Sequence, residues 1–350
     1  MIAEGRISIE MGRDGDVRLS SNRGVDVARM LRGRSPSDVL DLLPRLFSLC
    51  GHAHVAAARR AMFGPQADEM CRSDSLMVLA ENAREHLLRI LTGWRAQAGP
   101  TALNAAPVMS LVKGMKAALG ARKAEREQAD TLADILEHDV LGARAAQFLA
   151  LDNIKAFDGW LAGAPTPAKD HLSGVIAKGW ASLGASQTHY LPDLSENLLK
   201  KRFSDPEFSR YPDWQGQPHE TGPLERQSGH PLLVALIKAH GAGLLARLVA
   251  RLVELARIPE QMQNGDCLVQ GGDGLGIAKT ARGRLIHAVT QDNGMIAEYH
   301  ILAPTEWNFH PEGAAVQALR TLPSEADLPM RAHALIEAID PCVAFEVRVV

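Results

Sequence analysis

By type and spacing, two thiols and one imidazole are the groups of this chain best suited to chemistry. Cys50 is followed by Gly51, His52, Ala53 and His54. If a helix begins at Cys50, His54 lies four residues on and shares its face, while His52 points away. A thiolate and an imidazole so placed make half of a soft-metal site. The same spacing also fits a plain structural role, a buried cysteine at a tight glycine turn beside capping or solvent-facing histidines. Far along the chain, Asp340-Pro341-Cys342 offers a second thiol, which taken alone reads as a core cysteine at a turn after a helix. Gly271-Gly-Asp-Gly-Leu-Gly276 has the composition of a phosphate loop. Lys-Ser or Lys-Thr does not follow it, however, and the next element is a hairpin rather than the helix whose amides a phosphate needs. The sequence contains no Gly-x-Ser-x-Gly elbow, no His-Glu-x-x-His and no Cys-x-x-Cys.

The elements that must position these groups are mostly helical. Residues 6–11 and 16–20 alternate as a hairpin about Arg13-Asp14-Gly15. Ser37 is a plausible cap for a helix over 38–43, which Pro44 interrupts. Helices follow over 52–62, 73–95, 103–119, 123–149 and 171–183, and 204–229 reads as a long connection. The longest amphipathic helix is expected over 232–258. Strands over 284–290 and 295–302 flank Asp292-Asn293-Gly294, helices over 312–322 and 328–339 come next, and a β-prone tail closes the chain at 343–350. This predicts one mainly α domain over residues 1–350, with small peripheral β-hairpins.

Composition limits the function classes. The chain has 350 residues, 46% of them hydrophobic, with 38 basic against 41 acidic side chains and a net charge of −3. Such a balance gives no electrostatic footprint for nucleic acid or an anionic membrane. Lys238, His240, Arg247, Arg251 and Glu254 interrupt the most apolar stretch, so membrane insertion is not expected. Four cysteines without a framework, and an opening without a signal layout, fit a reducing cytoplasm. Cys71 and Cys267 match no motif and read as core.

Several segments, taken in order, resemble the large subunit of nickel-iron hydrogenases. Residues 3–10, Ala-Glu-Gly-Arg-Ile-Ser-Ile-Glu, resemble that family's Arg-Ile-Glu-Gly-His strand, and residues 33–38 its Gly-Arg-Asp-Pro segment. Ser48-Leu-Cys50-Gly-His-Ala53 stands in place of Arg-x-Cys-Gly-x-Cys, and residues 220–226 resemble the Gly-Pro-Leu-Ala-Arg segment. Residues 281–308 resemble the Pro-Arg-Gly hairpin and the Pro-Ser/Thr-x-Trp-Asn turn. Asp340-Pro-Cys342-Val-Ala-Phe345 takes the position of Asp-Pro-Cys-x-x-Cys.

The departures matter as much as the matches. The resemblance implies that Ala53 and Phe345 replace the two metal-bridging cysteines, while Cys50 and Cys342 keep the terminal nickel positions. Two thiolates do not make the four-thiolate site that nickel needs there, so neither nickel nor hydrogen turnover is expected. Arg282 and Thr305 match the family's donors to the iron's cyanide ligands, with Pro304 beside them. This pattern is similar to the HupK/HoxV-type accessory proteins of hydrogenase maturation. It implies a non-catalytic scaffold that transiently receives the iron–dicyano–carbonyl unit, Fe(CN)2(CO), on Cys50 and Cys342, with His54 as substitute donor. Glu4 and His52 are further cavity candidates. The implied partners are maturation proteins and chaperones together with the immature large subunit. Two other readings compete: a metal-free large-subunit mimic that binds chaperones, and a residual mononuclear-metal enzyme using Cys50, His54 and Cys342.

Overall fold

The computed structural model describes residues 5–12, 14–21, 26–94, 106–187, 189–205 and 207–350. Two helices of 21 residues each, Asp68–Leu88 and Leu244–Asn264, pack together at its centre, and the Gly51–Phe63 helix lies against the first of them. Gly51–Phe63 owes its central place to small side chains. Ala53, Ala56, Ala57, Ala58 and Ala61 are all buried, so neighbours approach the helix closely from several sides. No described helix is long and apolar enough to cross a membrane.

Two sheets flank this core. In the first, β1 (Arg6–Met11) pairs antiparallel with β2 (Val17–Ser21) and parallel with β7 (Ala344–Val349), so the two ends of the chain share one sheet. The second is an antiparallel meander of β3 (Val269–Gly272), β4 (Leu275–Thr280), β5 (Gly283–Asp292) and β6 (Met295–Leu302). The glycine-rich passage is the β3–β4 turn, with Asp273 and Gly274 both at positive φ, as a two-residue hairpin requires. Asn293-Gly294 makes the matching turn between β5 and β6.

The meander is not peripheral. Leu285 to Val289 on β5 are buried without a break because both sheet faces are covered, and β4 and β5 lie on the Gly51–Phe63 helix. A Cβ at Gly276 would stand 1.8 Å from the carbonyl oxygen of Ala57, so this residue sets how closely strand and helix approach.

Several helix boundaries differ from the sequence expectation. The 36–46 helix is capped by Ser35 instead of Ser37, and it carries Pro44 inside without ending there. The expected helix over 232–258 is two, Pro231–His240 and Leu244–Asn264. Gly241 breaks it at positive φ, and a Cβ at Gly243 would meet the Leu183 carbonyl at 2.9 Å. Hydrophobic periodicity runs across that break unchanged, so it does not reveal the turn. The expected helix over 123–149 is likewise interrupted, at the left-handed Gly142. Arg13, residues 1–4 of the opening segment, and the first residues expected in the 103–119 helix lie outside the described residues.

Gly276→Ala should lower the urea midpoint by the equivalent of about 2–3 kcal/mol, because the new methyl meets backbone rather than a movable side chain. Gly272→Ala, with open space at the same point, should stay close to wild type. Equal midpoints for the two variants would contradict the packing of β4 on the helix.

Candidate functional site

Cys50 occupies the N-cap position of the Gly51–Phe63 helix, but its side chain makes no capping bond. Glu81, from the neighbouring long helix, caps instead. One carboxylate oxygen accepts from the His52 amide at 3.1 Å and the other from the Ala53 amide at 3.0 Å. Burial pushes the Glu81 carboxyl up to about 7, in spite of those two bonds and the nearby Arg84 cation. Arg84 also donates to the Leu49 carbonyl at 3.0 Å, so the residue before Cys50 is held as well. At Gly51 a Cβ would come within 3.1 Å of Pro44 Cα, which lets the helix start directly against that proline.

Cys342 arrives by a different route. The Leu328–Ile339 helix ends at Asp340, whose left-handed backbone (φ 65°) turns the chain, and Pro341 prevents the helix from continuing. The Thr305 hydroxyl lies 3.0 Å from the Cys342 sulfur, on the short Pro304–Asn308 helix.

Both thiols line one cavity of about 720 Å³, together with Arg282, Pro304, His54 and Glu81. Thr305 is not on that wall; it backs the Cys342 sulfur from behind. The His52 side chain is also off the wall, and burial followed by the Lys116 and Arg84 cations lowers its pKa. Glu4 lies outside the described residues, although Gly5 reaches the cavity. Ala53 is buried under the helix start, and Phe345 packs near His333. Among the described residues, no three histidine, cysteine or carboxylate side chains are grouped closely enough to hold a metal ion.

His54 is part of a buried relay. Its Nδ1 is 2.9 Å from His287 Nε2, and His287 Nδ1 is 2.7 Å from the Tyr299 hydroxyl. The His54 ring also stacks on Phe47 at 3.6 Å. Burial depresses His287 to about 3, so it is neutral and each of its bonds depends on which nitrogen carries the proton. If Tyr299 accepts from His287, then His54 donates through Nδ1.

Arg282 belongs to a larger buried charge network. It donates to Glu85 at 3.2 Å and pairs with Asp340 at 3.5 Å, while its Nε is buried without a hydrogen-bond partner among the described residues. Burial opposes its charge, yet Asp340, Glu85, Cys342 and Cys50 together outweigh burial and hold the guanidinium firmly protonated. Asp340 also accepts from Arg89 at 2.5 Å and from Arg251 at 3.1 Å. Although burial opposes its charge, these three cations hold its carboxyl far below the usual range. On the far side of Arg251, His86 donates from Nε2 to Glu254 at 3.0 Å. A carboxylate cannot donate in return, so His86 Nδ1 is the acceptor facing Arg251 at 3.3 Å.

Comparison with known proteins settles the family. The chain is 32% identical over 99% of both chains to the hydrogenase expression/formation protein HupK of Azotobacter vinelandii. It is 31% identical to HoxV of Cupriavidus necator, a protein of the same description, over 91% of this chain and 89% of that one. The chain belongs to the HupK/HoxV family of hydrogenase expression/formation proteins. Residues 232–348 also match the model of the nickel-dependent hydrogenase family. The fold is similar to that of the Ni-Fe-Se hydrogenase from D. vulgaris Hildenborough in its reduced state, with a TM-score of 0.55, 18% identity, and 93% of each chain covered.

Two of the segments that resemble the nickel-iron hydrogenase large subunit, 220–226 and 281–308, converge in space. Asn308 accepts from the Thr221 amide at 2.9 Å and donates to the Thr221 carbonyl at 2.8 Å. The Arg284 amide donates to the Thr221 hydroxyl at 3.1 Å, and a Cβ at Gly283 would crowd Thr221 and Pro304. Residues that the motifs did not supply complete the site: Glu81, Glu85, Arg89, Arg251 and, behind them, His86 and Glu254. One signal for them is present in the sequence. Arg247, Arg251 and Glu254, taken there only as charges that interrupt the most apolar stretch, follow one another at four and three residues and therefore share a face. All three are buried.

Glu81 makes the pH dependence of stability testable. The folded chain holds its proton more tightly than the unfolded chain, so from about 4.5 to about 7 its contribution falls as pH rises. Asp340 acts oppositely: its contribution is full above the ordinary aspartate range and is lost as pH falls through and below it. Glu81→Gln should therefore gain on wild type as pH increases from about 5 to about 8, by on the order of 1–3 kcal/mol in urea denaturation. A difference between the two proteins that does not change over this window would show that Glu81 titrates normally.

Proposed function

We propose that the chain is a cytoplasmic, non-catalytic scaffold of nickel-iron hydrogenase maturation. Its cargo would be the Fe(CN)2(CO) unit, received at the cavity between Cys50 and Cys342 and passed on to the immature large subunit. The observation that carries this reading is that two thiols from distant parts of the chain line one cavity beside Arg282, in a relative of hydrogenase expression/formation proteins. Thiolates are the soft donors that iron bearing diatomic ligands would take. Arg282 offers a buried Nε that lacks an acceptor within the described protein, and a cyanide nitrogen would supply one.

The geometry alters the role proposed for Thr305. Its hydroxyl would donate to the Cys342 thiolate, orienting the sulfur rather than a cyanide. His54, with Nδ1 engaged by His287, would bind iron through Nε2, as in sites where the second imidazole nitrogen fixes the tautomer. The proposed partners are maturation proteins and chaperones that build or carry the iron unit.

A second reading has its own support. Arg282 is already paired with Glu85 and Asp340, which suits a large-subunit mimic that binds chaperones and carries no metal.

Infrared spectra of protein co-expressed with the maturation genes and purified without oxygen distinguish the two. The scaffold should show cyanide and carbonyl bands and contain iron without nickel; their absence, with partner binding retained, would favour the mimic. Cys50→Ala and Cys342→Ala should each abolish the bands. Arg282→Lys keeps the charge but removes Nε and the planar fork, so it should shift the cyanide bands and weaken retention of the unit. Unchanged cyanide bands would exclude Arg282 as their donor.

A further inference from the structure

Away from the cavity, the other two cysteines form a pair. Cys71 lies near the start of the Asp68–Leu88 helix, and Cys267 on the link between the Leu244–Asn264 helix and β3. The sequence places them as unrelated core residues, whereas Cys267 is exposed and Cys71 half-buried. Their thiols are near enough for Cys267 to disfavour the Cys71 thiolate. Both sulfurs also approach one acceptor, the Val269 carbonyl, at 3.0 Å from Cys267 and 3.9 Å from Cys71. The next residue fixes the register of the two segments, the Leu268 amide donating to the Ser75 hydroxyl at 3.0 Å.

We propose that Cys71 and Cys267 are a redox-active dithiol that closes to an intramolecular disulfide with low-molecular-weight disulfides and reopens with thiols. Nothing in the cavity chemistry requires this pair, and the inference does not rest on the scaffold reading. Exposure assigns the order of steps. The Cys267 thiolate attacks a sulfur of the small disulfide, forming a mixed disulfide at Cys267 and releasing one thiolate. The Cys71 sulfur then attacks the Cys267 sulfur, forming the internal bond and expelling the second small thiolate. The two protein thiol protons end on the two released thiols, so the pair is oxidised by two electrons and the small disulfide is reduced by two. Burial, and then the neighbouring Cys267, push Cys71 up to about 11, which suits a thiol that waits for its neighbour rather than attacking first.

Closure would staple the Asp68–Leu88 helix to the start of the meander. Glu81, which caps the Cys50 helix, lies on the same helix about 15 Å further along. A dithiol that is accessible and whose sulfurs share one acceptor fits a reversible bond more than a permanent one.

Treatment of the full-length reduced protein with oxidised glutathione, followed by thiol blocking, proteolysis without reductant and mass spectrometry, tests the pair. The expected main product is a Cys71–Cys267-linked peptide, two hydrogens lighter than the reduced pair and restored by dithiothreitol. Cys71→Ser should trap one glutathione on Cys267, and Cys267→Ser should leave Cys71 largely unmodified. A wild-type protein that keeps glutathione on Cys267, or leaves both thiols reduced, would overturn the proposal.

Discussion

Three guanidinium groups, from the half-buried Arg89 and the buried Arg251 and Arg282, share the buried carboxylate of Asp340 at the edge of the cavity. Gathering like charges where most of them are buried is tolerable only when anions are interleaved, and removing one partner of a buried pair typically costs about 3–5 kcal/mol. Asp340 answers for three elements at once: the end of the first long helix, the middle of the second, and the β4–β5 turn. It does so from a left-handed backbone, where a residue with a Cβ costs roughly 1–2 kcal/mol. Glycine would relieve that strain but would leave the three cations without their shared anion. Cys342 lies two residues further on, so its position on the cavity wall is set by an ion cluster rather than by hydrophobic packing.

The Cys50 wall is built on a complementary principle. Here amides are anchored by an anion that is itself costly to charge, Glu81, and the loop before them is tied by Arg84, which Glu85 holds in turn. Consecutive residues of one helix, Glu81 to Glu85, thus serve the Cys50 segment at one end and Arg282 at the other. The alanine-rich helix and Gly276 permit this arrangement, because only small groups let β4 and two helices meet around residues 53–61.

Sequence made the hairpins, the two thiol segments and the Arg282–Thr305 stretch legible, since each depends on local turn chemistry or on short motifs. Asn293-Gly294 is read from its residue types, and Asp273-Gly274 follows the same rule although it lay inside a passage resembling a phosphate loop. What stayed hidden is tertiary. Nothing local to Glu81 shows that its carboxylate caps a helix nearly thirty residues earlier in the chain. Arg251 looks like a solvated charge until His86 and Asp340 are seen around it. Gly241 marks a break only because Gly243 must press on the backbone near Leu183, and periodicity is blind to such contacts. The pairing of Cys71 with Cys267 is invisible for the same reason: it exists only once helix and meander have met.

The parallel pairing of β1 with β7 has a consequence in time. Register runs from Arg6 opposite Ala344 to Met11 opposite Val349, so β1 waits for a partner made 338 residues later (344 − 6). Until then β1 has only β2 beside it, its other edge is open, and the Cys342 wall does not exist. A nascent chain would therefore present Cys50 without its opposite number until 292 further residues have been made (342 − 50). The cavity comes into being in a single late step, when β7 takes its place beside β1 and brings the Cys342 segment with it.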